Sequence, residues 1–327
     1  GRRLAYNRLH VTDATGRQLD ARMEAPQANG SEIRIIVATR EAQYPITIDP
    51  TITDEDWQSI NQGTPGMDEE IHALAFDASG NLYAGGDFTI AGGVSASGIA
   101  KWDGTAWSAL GSGTTGTYRE VTALVFDAAG NLYAGGKFTT AGGVRVNYIA
   151  KWDGSSWSAL GSGMAGVSPT VYALAVDSSG TLYAGGSFTT AGGVNANYIG
   201  AWDGSSWSTL GAGMNSWVHA LAVDDSSGTL YAGGSFGTAG AVSANSLAAW
   251  DGSTWSALGA GMSSTVYALL LESSGTLYAG GGFGTAGNKL SPYIAQCNIP
   301  ECDDNSDCED ENICVQSSCI PPCISND

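Results

Sequence analysis

Basic residues are scarce in this chain of 327 residues: thirteen Lys and Arg stand against thirty-two Asp and Glu, a formal charge of −19. Attraction to nucleic acid and to anionic membranes rests on a positive field, so neither is expected as a partner. Long apolar runs are missing as well. None approaches the ~20 residues that cross a bilayer, so membrane insertion is not expected. Cysteine is absent from the first 296 residues. Histidine occurs only as His10, His72 and His219. There is no HExxH, no GxSxG and no Ser/His/Asp spacing, so no catalytic residue is nominated. The start, GRRLAYNRLH, carries neither an apolar segment nor a small-residue cleavage site. Any export signal is therefore expected to have been removed or to lie outside this sequence.

What the chain does contain is glycine, 47 residues of it, and repetition. Leu-Tyr-Ala-Gly-Gly begins at Leu82, Leu132, Leu182, Leu230 and Leu277, and each copy is followed by Phe and an Ala-Gly pair. Trp-Asp-Gly recurs at Trp102, Trp152, Trp202 and Trp250, each followed by a second tryptophan at Trp107, Trp157, Trp207 and Trp255. Within a unit, four short runs rich in β-branched and aromatic residues are separated by Ser-Ser-Gly, Ala-Gly-Gly and Asp-Gly, which is hairpin punctuation. Each unit thus reads as a four-stranded antiparallel sheet.

The first strand of a unit alternates Val171, Ala173 and Ala175 with Tyr172, Leu174 and Val176. Neither set is polar, so both faces must be covered, as when blades stack around an axis. The fold class expected is all-β: a five-bladed β-propeller over 51–297. The fifth unit ends at Tyr293-Ile294-Ala295 without a fourth strand, and Trp57 to Asn61 is expected to donate it and close the ring, removing the open sheet edges. The order of Gly-Gly, Tyr198, Trp202-Asp203-Gly204 and Trp207 resembles the kelch pattern. The whole unit is similar to WDG-type propeller repeats of secreted and surface proteins of bacteria. That resemblance implies a fold and an exported location; it implies no particular activity.

The flanks differ in charge and composition. Residues 1–50, with a turn at Asp13 to Gly16 and alternating runs Glu32 to Val37 and Tyr44 to Pro50, resemble the end of a β-rich leader domain of deltaproteobacterial surface proteins. The tail, 298–327, is acidic and cysteine-rich. Cys297, Cys302, Cys308, Cys314, Cys319 and Cys323 fall within about thirty residues, which argues for disulfides and an oxidising compartment. Cys297 stands where a blade would carry tryptophan, so the tail is expected to be fastened there. Asp303, Asn305 and Asp307 place oxygen ligands at alternate positions. The loop glycine and the twelfth-position glutamate of an EF-hand are replaced by Cys308 and Cys314, so a weak calcium site competes with a solvated acidic turn, and no other cofactor is expected.

Other motifs have bland explanations. Gly111-Ser112-Gly113-Thr114-Thr115-Gly116 and the copy at Gly161 match GxGxxG, but a strand follows where a dinucleotide fold needs a helix. Trp-Asp-Gly serves either as a sugar platform or as a hairpin turn beside an inter-blade tryptophan, and burial of the large ring favours the second. Ligand contacts are better sought at the less regular loops: Arg145, Asn147, Asn197, Asn245 and Trp217, the last outside the repeat pattern and read either as an exposed anchor for a partner or, more commonly for a single loop tryptophan, as a lid on its own blade. The function expected is a non-catalytic structural or adhesive surface propeller that associates with other proteins or copies of itself. A multivalent carbohydrate-binding propeller is the alternative. Glycan binding would select the second, and glycan-free assembly the first.

Overall fold

The computed structural model describes residues 66–299 except Ser274, short stretches between 10 and 60, and a hairpin at Ile313–Val315 and Ser318–Ile320. Contacts group Gly1–Gln62 and Gly63–Asp327 into two compact units. In the first, His10–Thr12 pairs with Thr47–Asp49 and Ala21–Glu24 with Arg34–Val37, so the two expected alternating runs each contain a strand and two further strands pair with them.

In the second unit the repeats are blades. Blade 2 runs Glu120–Phe126, Leu132–Lys137, Ile149–Trp152 and Trp157–Ala159, each strand antiparallel to the next. Blade 1 begins at Ile71–Phe76, blade 3 at Val171–Val176 and blade 4 at Val218–Asp224, all with the same four-strand order. Blade 5 has three described strands, Val266–Leu271, Thr276–Gly281 and Ile294–Asn298. The expected closing strand, Trp57 to Asn61, lies outside the described residues except for Ile60.

Glycine creates the blade-to-blade fit. A Cβ on Gly135 would lie 2.5 Å from Val171 Cγ1 and 3.3 Å from Leu174 Cδ1, and Gly85, Gly185 and Gly233 meet the next blade's Val and Leu in the same way. Val171 and Leu174 therefore share a face. This corrects the simple alternation, which set Val171 beside Ala173. The cause is a β-bulge: Val171 pairs with Gly186 and Ala173 with Gly185, so Tyr172 is an extra residue and the period of two is broken. The same bulge recurs between Ile71 and Ala73, Val121 and Ala123, Val218 and Ala220, and Val266 and Ala268.

The tryptophans are inter-blade packing, as burial predicted. Trp157, Trp207 and Trp255 are buried, and their Nε1 groups donate to Leu110, Leu160 and Leu210 carbonyls of the preceding blade at 2.8–2.9 Å. The Trp-Asp-Gly aspartates close hairpin turns. Asp103 Oδ1 accepts the Thr105 and Ala106 N–H groups at 2.8 Å each, beside Gly104 at φ 96°. The Thr105 hydroxyl, then the two N–H groups, hold Asp103 down from 3.8 to about 2. The copies Asp153 and Asp203 are lowered by the same turn geometry. A carboxylate depressed on folding stabilises above its unfolded value and loses that contribution as pH falls toward its folded one. Thermal stability is therefore expected to fall between about pH 4 and pH 2, and less so in a variant with Asp103, Asp153 and Asp203 all changed to Asn; melting curves at stepped pH check this.

Candidate functional site

The bulge decides which side chains escape the blade packing. Its extra residue is His72, Thr122, Tyr172, His219 or Tyr267, a strand position whose chemistry changes from blade to blade. Two neighbours join it at each junction: the residue at the end of the second strand and the residue opening the next blade. At the junction of blades 1 and 2 these are His72, Asp87 and Glu120. At the junction of blades 4 and 5 they are His219, Ser235 and Thr265. The backbone brings them together in both cases. His72 Nε2 lies 3.4 Å from Asp87 Oδ2, and ligand atoms of His72, Asp87 and Glu120 all fall within 4.8 Å of one another. His219 Nε2 lies 3.0 Å from Ser235 Oγ, which lies 3.1 Å from Thr265 Oγ1.

Reading along the chain, neither histidine had a carboxylate partner. Strand pairing within blade 1 brings Asp87 to His72 from 15 residues away, and blade stacking adds Glu120 from 48 residues away.

Between blades 3 and 5 the same positions form an aromatic strip. The Tyr172 ring lies tilted against Trp217 at 6.2 Å and against His219 at 5.2 Å, and His219 lies 5.5 Å from Tyr267. Trp217 remains 48% exposed and Tyr267 61%. Burial lowers the His219 pKa, so the strip is uncharged at neutral pH. Hydroxyls of Ser235 and Thr265 edge it. Trp217 was singled out by its place outside the repeat, and the structure joins it to Tyr172 of the preceding blade.

The nominated loop residues take other roles. Asn147, Asn197 and Asn245 donate through Nδ2 to the carbonyls of Ser162, Ala212 and Ala260 at 2.8–3.0 Å, tying each loop to the turn after the fourth strand. Arg145 Nε donates to Asn147 Oδ1 at 3.2 Å. None of these four touches the aromatic strip. Cys297 is buried and disulfide-bonded, opposite Leu277 in the register where Trp102 faces Leu82. Cys314 and Cys319 are backbone register partners in the tail hairpin. Cys302, Cys308, Cys323 and the calcium candidates Asp303, Asn305 and Asp307 lie outside the described residues.

The two ends of the blade row form a second candidate surface. Val121, Val171, Val218 and Val266 are fully buried against the preceding blade, whereas their counterpart Ile71 is 43% exposed, with Leu74 at 60% and Phe76 at 63%. On the opposite end, Ile99, Ile149, Ile199 and Leu247 are buried beneath the following blade, whereas Ile294 is 67% exposed. A Cβ on Gly280 would meet only its own blade, at 3.9 Å. Among the described residues, blades 1 and 5 therefore do not cover each other. The strand expected to complete blade 5 and close the ring, Trp57 to Asn61, lies outside the described residues except for Ile60.

A family model described as the Rax2 C-terminal beta propeller domain matches residues 204–301. The repeats are β-propeller blades. No curated protein matches the chain. Among solved structures, the extracellular domain of the putative one component system BT4673 from B. thetaiotaomicron is similar at 10% identity and a TM-score of 0.47, covering 71% of this chain and 27% of that one. The Niastella koreensis GH74 enzyme is similar at 21% identity and a TM-score of 0.47, covering 73% and 36%. The RRP9 WD40 repeats are similar at 14% identity and a TM-score of 0.46, covering 72% and 67%. This chain thus spans about a quarter of the first of these structures.

Proposed function

We propose that this propeller chain is an exported, non-catalytic surface component that works by associating with proteins. The observation that carries the reading is the pair of open apolar blade faces. Exposed contiguous apolar surface on a folded chain marks a place where another protein sits. The disulfide at Cys297 supports an oxidising location. Light scattering and electron microscopy of material purified without reductant test it. Particles above the 33.4 kDa chain mass that grow with concentration are expected. A single monomer mass at every concentration, with no protein bound, would sink the reading.

A second reading has its own observation, the aromatic strip from Tyr172 to Tyr267. Neutral aromatic faces edged by hydroxyls suit the apolar face and hydroxyl rim of a sugar ring. If glycans bind there, Trp217→Ala should weaken binding roughly tenfold or more while leaving the melting temperature unchanged. Glycan arrays followed by titration of the variant provide the check. Undiminished binding by the variant would place the sugar elsewhere.

A further inference from the structure

The internal blade junctions show how the two open faces are meant to be covered. At each of four junctions the earlier blade offers a shallow face built around glycine, and the later blade offers a protruding face built from Val and Leu. At the first junction, Tyr83, Gly85 and Ile99 of blade 1 receive Val121, Leu124 and Phe126 of blade 2, with Tyr83 edge-on to Phe126 at 5.0 Å. Blade 5 repeats the receiving set in Tyr278, Gly280 and Ile294, in the same register: Gly280 pairs with Ile294 as Gly85 pairs with Ile99. Blade 1 repeats the inserting set in Ile71, Leu74 and Phe76. One chain therefore carries both halves of a junction it makes four times internally, and it leaves both halves uncovered.

We propose that a second copy of this chain covers each face: Ile71, Leu74 and Phe76 of one copy seat on Tyr278, Gly280 and Ile294 of the next. The proposal rests on the association reading above and names its partner. The contact is heterologous, because the two patches differ. Repeated head to tail, it generates either a closed ring of chains or a filament, depending on whether the rotation between copies closes. Two sequence differences set its strength relative to the internal junctions. Ile71 replaces valine in the inserting set. Leu270 stands where blades 1, 3 and 4 have Ala75, Ala175 and Ala222, so the receiving face is shallower toward that end. The intermolecular junction is accordingly expected to be weaker than the intrachain ones and to depend on concentration.

A mixing experiment on the full chain tests this. Leu74→Asp spoils only the inserting face and Ile294→Asp only the receiving face. Both residues are exposed in the single chain, so melting temperature and circular dichroism should match the parent and confirm folding. Each variant alone should be a monomer by light scattering. An equal mixture should give particles of twice the chain mass and no larger, since one good inserting face meets one good receiving face and both outer ends are blocked. If the parent assembles and either variant alone assembles equally well, the head-to-tail contact is wrong while the association reading stands. If the mixture stays monomeric, the contact is also wrong. If the parent itself is monomeric at all concentrations, both fall.

Discussion

Changing Trp207 to Ala is expected to destabilise the blade row by about 3–5 kcal/mol, the cost typical of deleting a large buried ring. The ring is 6% exposed, sits 5.6 Å from Trp202, and its Nε1 donates to the Leu160 carbonyl of the blade before it at 2.9 Å. It also covers Gly192, where a Cβ would lie 2.6 Å from Trp207 Cδ1. The substitution therefore opens a cavity and removes the inter-blade donor of the Leu160 carbonyl, which keeps the N–H of Gly163 at 3.1 Å. Repeat arrays are held by nearest-neighbour interfaces, so a weakened interface between blades 2 and 3 should split a single denaturant transition into two. Urea unfolding followed by far-UV circular dichroism reads both effects. Trp217→Ala is the control. Its ring lies on the exposed strip, and surface substitutions of that kind usually change stability by less than about 0.5 kcal/mol. Equal losses from the two variants would contradict the assignment of Trp207 as an inter-blade tie.

The second large effect compares two glycines in identical Leu-Tyr-Ala-Gly-Gly copies. At Gly185 an added Cβ would stand 2.5 Å from Val218 Cγ1, and Val218 is fully buried with no room to retreat. Gly185→Ala is expected to cost about 1–3 kcal/mol through overpacking. Gly280 has nothing within 3.9 Å, so Gly280→Ala should be neutral or slightly stabilising in the single chain, since alanine loses less backbone entropy than glycine in a strand. Melting temperatures measured on dilute protein distinguish the two. A comparable loss at both positions would mean that blade 5 is covered after all.

The same pair of glycines separates what the sequence determines from what the tertiary structure decides. The sequence determined the blades. Strand positions, hairpin turns and the burial of the paired tryptophans depend on residues within about fifty positions of one another. The Asp103 turn and the Trp102–Trp107 cross-strand pair are legible as local chemistry. It also marked Trp217 as irregular and Cys297 as the substitute for a blade tryptophan. The tertiary structure alone decided the rest. The bulge at Tyr172 is a matter of pairing register, and no residue type announces it, so a strict period of two placed Val171 on the wrong side. Convergence of His72 with Glu120, and of His219 with Thr265, arises between blades. Whether blade 1 meets blade 5 depends on the rotation between successive blades, which accumulates over four junctions. Near-identical repeats encode each junction but not their sum, so the two end faces, alike in sequence to buried ones, stand open.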